Sequence, residues 1–328
     1  MAKKNKNGLY LLVLVILAGI FILVKYVFIN KPDSNFDMNQ LSVDTAKVAS
    51  VSIKQPKDKA PIKLTKENGN WKVSQKNQSF DADASSIKGI LGILAQLKIQ
   101  SVAGITKDKW ADYQLTDSAA TNVQLFDGGG KILKDFYIGK FTYKQNKSPY
   151  GQRYGRNNIS GKTYIRLSNG SKSFIVNGFI PMSFNRDLNS FRNHTVAKID
   201  KDNVNHIKFD YATDQSFELT KADSAVWMIN QKDTADFNKI SQYLNSIAWL
   251  RHMQFDDNFS PSTKAISTLT YEGKNMQPTT IRIYQKDSVN YVVNSSQNPK
   301  TFFSYKQDEV VKQLEKPVSA FMKDTKIK

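Results

Sequence analysis

The stretch LTKENGNWKVSQ, Leu64 to Gln75, returns as LTKADSAVWMINQ, Leu219 to Gln231, and the reading of the fold turns on this echo. Upstream, VASVSIKQ from Val48 corresponds to VNHIKFDY from Val204, and one added residue in the second copy sets Trp71 opposite Trp227. Downstream, Ile87, Leu91, Leu94 and Leu97 match Ile240, Leu244, Ile247 and Leu250, so each copy carries one apolar stripe at helical spacing. Asp83 and Asp236 stand just before the stripes, where a carboxylate can accept bonds from a helix's free N–H groups. Alternating runs around glycine-containing turns follow, Thr121 to Gly139 and Ile266 to Gln285, and each reads as a hairpin. Two further short strands close each half, KTYIRL with SFIV and VNYVV with TFFSY.

The expected fold class is therefore α+β, with two tandem, duplicated modules of three strands, a helix and a hairpin, built on antiparallel sheets and preceded by a transmembrane helix. A repeat distance of 155 residues (219 − 64) is far beyond solenoid periods and fits two compact modules. The expected boundaries are a tip and anchor at 1–30, a linker at 31–43, and modules at 44–198 and 199–328.

The anchor reading rests on MAKKNKNGLYLLVLVILAGIFILVKYVFIN, Met1 to Asn30. Three lysines precede an apolar run from Leu9 to Ile29, broken only at Lys25, which can snorkel to headgroups. Twenty-one helical residues span roughly 30 Å, one hydrocarbon core. The bulky KYVFIN end offers no signal-peptidase site, so an uncleaved single-pass anchor is expected, with the N-terminus cytoplasmic and the modules periplasmic, at a bacterial inner membrane.

The chain has no cysteine, which excludes disulfides, thiol catalysis and Cys-based zinc sites. Its formal charge is +18; residues 1–31 hold five lysines and no acid, leaving 18 − 5 = +13 beyond them. That balance favours anionic partners: phospholipid headgroups, acidic envelope polymers or an acidic protein face. An anchored chain argues against nucleic acid.

Sequence motifs for chemistry are sparse. His194, His206 and His252 show no metal spacing, so no metal ligand is expected. SGKT, Ser160 to Thr163, leads into a strand rather than the helix a phosphate cradle needs, so no cofactor is expected. DGGGK, Asp127 to Lys131, reads as a turn, and Asp256 with Asp257 as loop acids. No nucleophile elbow occurs, and no catalytic residue is assigned.

Five of the seven arginines lie between Arg153 and Arg192, while the forty lysines are spread throughout. The planar guanidinium suits carboxylate and phosphate recognition, so Tyr150, Arg153, Tyr154, Arg156 and Arg166 are the candidate contacts for an anionic ligand or partner. Phe184, Arg186, Phe191 and Arg192 lie in FNRDLNSFRNHTV, Phe184 to Val196, a junction too aromatic for a free linker. They are the candidate inter-module contacts, with Arg192 as an ion-pair partner.

The chain resembles the membrane-anchored bacterial members of the domain of unknown function 4340 family. The resemblance rests on the N-terminal apolar run, LSVDTAKVASVSI (Leu41 to Ile53), NGNWKV (Asn68 to Val73), TYIRL, NGFI (Asn177 to Ile180) and SFRNHTV. It departs at Asn193, where relatives often carry an acid. The resemblance implies an envelope protein of unassigned biochemistry, some relatives standing beside auxiliary components of ABC-type transporters. Three functions follow as expectations: a non-enzymatic scaffolding surface auxiliary to a transporter complex, a basic module binding an anionic polymer or lipid, and an envelope hydrolase without a motif.

Overall fold

The structure, a computed structural model, describes residues 7–24, 37–145, 159–213 and 215–324. The chain divides into two compact units, Met1–Pro61 with Lys88–Asn185 (unit 1) and Ile62–Ile87 with Arg186–Lys328 (unit 2). The strands are β1 (Ser50–Lys54), β2 (Ile62–Glu67), β3 (Asn70–Gln75), β4 (Gln78–Asp81), β5 (Ile99–Gly104), β6 (Thr121–Phe126), β7 (Ile132–Gln145), β8 (Ile159–Leu167), β9 (Ser173–Asn177) and β10 (Thr195–Lys198). They continue as β11 (Val204–Tyr211), β12 (Phe217–Asp223), β13 (Val226–Ile229), β14 (Asp233–Thr234), β15 (Trp249–Arg251), β16 (Ser267–Gly273), β17 (Thr279–Gln285), β18 (Asn290–Ser295) and β19 (Asn298–Lys306). The α-helices are α1 (Asn7–Val24), α2 (Ala84–Ala95), α3 (Pro181–Phe184), α4 (Phe237–Ile247) and α5 (Gln307–Gln313).

In unit 1 the strands run in the order β1-β6-β7-β8-β9-β5. Alternation builds the core: β6 buries Thr121, Val123 and Leu125 on one face, and β1 sets Val51 and Ile53 opposite Leu125 and Val123. Phe136 faces Val123 from β7, and Ile138 faces Ile165 from β8. The turn between β6 and β7 is closed by Asp127, whose carboxylate accepts from the N–H groups of Gly129 and Lys131, with Gly130 at φ +80°.

In unit 2 three strands run β4-β3-β2, and eight run β14-β13-β12-β11-β16-β17-β18-β19. One face of the eight-stranded sheet is covered by α4, whose Ile240, Tyr243, Leu244 and Ile247 are buried at helical spacing. Asp236 starts this helix by accepting from the N–H groups of Asn238 and Lys239. Tyr243 donates its one phenolic proton to the carbonyl of Leu314 (3.0 Å), so Tyr271 from β16 is the donor in the 2.7 Å contact between the two hydroxyls. The short pair β10-β15 completes the unit.

The repeated stretch is the same hairpin twice. Lys66 stands directly across from Trp71, and Lys221 directly across from Trp227, with a register shift after Lys221 absorbing the extra residue. Each hairpin is then tied off alike. The N–H of Ala82 bonds the carbonyl of Trp71 (2.9 Å), and that of Ala235 bonds the carbonyl of Trp227 (2.8 Å). The N–H groups of Asp83 and Asp236 bond the carbonyls of Phe191 and Phe321, both at 2.8 Å, and antiparallel bridges join Ala82 to Arg192 and Ala235 to Met322. Each tryptophan hairpin is thus closed by a phenylalanine-bearing 3-10 turn from much later in the chain, Asn189–Phe191 or Val318–Phe321.

Two expectations are corrected. The class is not α+β but mostly antiparallel β, 43% strand against 20% helix, because period-3.6 stripes occupy only short stretches while period-2 alternation fills the rest. The N-terminal transmembrane helix is not supported: no helix among the described residues is long and apolar enough to cross a membrane.

Gly273, at the end of β16, marks a close approach: a Cβ there would collide with the carbonyl oxygen of Asn203, which accepts the N–H of Lys274 at 3.0 Å. Gly273→Ala is expected to destabilise unit 2 by about 1–3 kcal/mol, read as a lower urea midpoint at unchanged slope.

Candidate functional site

The densest polar constellation surrounds Arg192 in unit 2. This side chain is 1% exposed, the largest fully buried one among the described residues. Its guanidinium lies between the rings of Phe80 (3.5 Å) and Phe255 (3.7 Å) and forks onto Asp257, with Nη1–Oδ2 at 2.8 Å and Nη2–Oδ1 at 2.7 Å. Nη1 also donates to Asn189. Bidentate pairing and two aromatic faces offset the cost of removing the charge from water.

A second ion pair lies in the same unit. Arg251 donates to Asp83 Oδ2 (2.7 Å) and to His194 Nδ1 (3.1 Å). Arginine has no acceptor, so Nδ1 of His194 is unprotonated and Nε2–H donates to the carbonyl of Asn189 at 2.8 Å. Burial, with the Arg251 charge adding to it, holds the His194 pKa below the usual histidine value. Burial opposes ionisation of Asp83, but the Ser85 hydroxyl, the Ser86 N–H and the Arg251 charge bring its carboxyl below the usual range. Burial likewise lowers the pKa of His252, whose ring stacks on Tyr305 at 3.8 Å and donates to the carbonyl of Ser304.

The sequence-derived candidates fall as follows. Tyr150, Arg153, Tyr154 and Arg156 lie outside the described residues. Arg166, 2% exposed, donates Nε to Leu115 O (2.7 Å), pairs with Asp117 and lies over Tyr137 and Trp110 at 3.6 and 4.0 Å. That places it in the interior of unit 1 rather than on a ligand-binding surface. Phe184 and Phe191 are fully buried, in unit 1 and unit 2 respectively. Arg186 donates to the Ser190 carbonyl and lies 5.3 Å from the Phe191 ring centre. The two acids at 256 and 257 are ion-paired, Asp256 to Lys286 and Asp257 to Arg192. Sequence reasoning missed Phe80, Asp83 as an ion-pair partner, Arg251, Phe255 and Asp257, which gather from separated segments with no local signal.

His206 forms a separate cluster. From β11 it bridges Glu272 on β16 (Nδ1–Oε2 2.9 Å) and Glu218 on β12 (Nε2–Oε2 3.1 Å). Burial alone would lower its pKa, but hydrogen bonds to the two carboxylates and their charges raise it above the usual value. The bond from His206 lowers the pKa of Glu218. No group of three or more His, Asp or Glu side chains among the described residues could hold a metal ion.

Fold and site together define a β-rich protein whose buried charges are paired internally. The chain belongs to the family described as Domain of unknown function (DUF4340), which matches residues 71–269, more than half of its 328 residues. No curated protein and no solved structure matches it.

Two outcomes follow. Asp257→Ala leaves a buried cation; with Asp257 one-third exposed, the loss is expected near the low end for such pairs, about 3 kcal/mol, against under about 1 kcal/mol for Lys208→Ala, which removes the exposed pair with Asp210. Urea unfolding of both variants checks this. Because the folded pKa of His206 is raised, its contribution is complete below about pH 6.5 and is lost as pH rises through the folded pKa. Unfolding midpoints between about pH 5.5 and 8.5 are therefore expected to fall less in His206→Gln than in the parent.

Proposed function

We propose that this protein is a non-enzymatic contact protein of the bacterial envelope, a scaffolding surface auxiliary to an ABC-type transporter complex. The observation carrying this reading is the partition of charge. Unit 1 holds 23 Lys and Arg against 9 Asp and Glu, +14, whereas unit 2 holds 24 against 20, +4. A basic unit beside a nearly balanced one suits orientation on an acidic partner face. The described side chains of α1 from Leu14 to Ile22 are all exposed and supply an apolar contact element as well. The internal pairing of Arg166, Arg192, Arg251 and His194 also fits contact better than catalysis.

With a C-terminal tag and crosslinking in intact cells, the full chain is expected to capture transporter subunits. Lys144→Glu with Lys162→Glu, both exposed in unit 1, should cut capture by about threefold or more. Recovery of no membrane protein above an untagged control would remove the scaffold reading.

One observation favours a second reading, direct binding to an anionic lipid or polymer. Lys162 faces Thr142 across the β7–β8 pair and Lys144 lies two residues on, so two cations share one sheet face near exposed Tyr143 and Ile159. On this reading the same double variant loses binding to anionic vesicles, and parent binding falls steeply with salt.

A further inference from the structure

A groove of about 310 Å³ in unit 2, lined by Trp227, Phe237, Ile240, Leu244, Lys201 and Lys221 among others, sets apolar side chains beside cationic ones. Its size is at the lower end for small-ligand sites, roughly 300–1,000 Å³. In β12, Phe217 and Leu219 occupy the core-facing row, and Lys221 is the next residue in that row. Alternation therefore puts an ammonium group where the pattern calls for an apolar side chain, across from Trp227. Among the described residues the Lys221 side chain makes no hydrogen bond or ion pair that explains it. Its neighbours are Ser224 and Ser241, and the ion pair Lys201–Asp202 at 3.1 Å, whose members are 41% and 83% exposed. The three charged side chains lining the groove sum to +1.

We propose that this groove binds a small amphipathic anion, a carboxylate with an alkyl or aryl body. The body packs chiefly against Phe237, which is 43% exposed, with the accessible edges of Leu244 and Trp227 also lining the groove. The carboxylate accepts from Lys221, with Lys201 as the second cation, because the half-buried position of Lys221 partly shields the pair from water. A neutral ligand of the same shape would leave Lys221 without a partner, so charge and not size sets the selectivity. This assignment goes beyond the scaffold reading and does not depend on it.

The test is calorimetric titration of the full chain with sodium decanoate and with 2-naphthoate, which separate alkyl from aryl bodies, and with decanol as the neutral control. Saturable binding at one site per chain by at least one acid is expected, weakened about tenfold or more by Lys221→Gln and abolished by Ser241→Phe, which fills the groove. Absence of saturable binding by both acids would overturn the proposal, as would parent-like affinity in Lys221→Gln. Equal affinity for decanol would overturn the assignment of an anion. If Ser241→Phe does not fold, as judged by circular dichroism, the Lys221→Gln titration decides alone.

Discussion

Taking a guanidinium out of water costs several kcal/mol unless its hydrogen bonds and charge are met, and Arg192 is almost wholly removed from water. Its partners come from three separated segments of unit 2: Phe80 on β4, Asn189 in the 3-10 turn just before Arg192 itself, and Phe255 with Asp257 beyond β15. A charge so placed tolerates few alternative arrangements, because any that separates Arg192 from Asp257 leaves the cation buried and unpaired. The antiparallel bridge from Ala82 to Arg192 gives the same position a backbone tie. At the equivalent place in the second copy stands Met322, bridged to Ala235 with no charge. The tie therefore belongs to the repeat, and the ion pair is an addition made in one copy.

Local physics was legible where it is local. The stripe at Ile240, Leu244 and Ile247 and the cap at Asp236 were readable because a helix repeats every 3.6 residues and begins with unpaired N–H groups. The pairing of Lys66 with Trp71 and of Lys221 with Trp227 is the structural content of the echo first seen as LTK followed by Trp. Pairings over long separations were not legible. Arg192 and Asp257 are 65 residues apart, and Asp83 and Arg251 are 168 apart. Neither side chain carries a mark of its partner.

Two misreadings have physical causes. Hydropathy measures the length of an apolar run, whereas crossing a bilayer requires a continuous helix, and no helix among the described residues is long and apolar enough for that. The clustering of arginines between 153 and 192 put Arg166 among the candidate ligand contacts, yet Arg166 is interior. Strand alternation did not warn of this, since Ile165 and Arg166 are consecutive in β8 and both buried. A strand enclosed on both sides hides its cations from pattern reading.

The two tryptophan hairpins also show how one repeated element diverges. Lys66 is exposed and Trp71 partly so, whereas Lys221 is half-buried and Trp227 is 3% exposed, in the core with α4. The Lys–Trp cross-strand pair is common to both; what differs is the environment of the lysine. In the first copy water solvates the ammonium, and the pair is a surface feature of a sheet. In the second the indole is part of the core and the half-buried ammonium stands in a groove with no ion-pair partner among the described residues. Since water satisfies one lysine and does so only partly for the other, an identical LTK triplet has different consequences. The divergence lies in the packing around the repeat, which neither triplet encodes by itself.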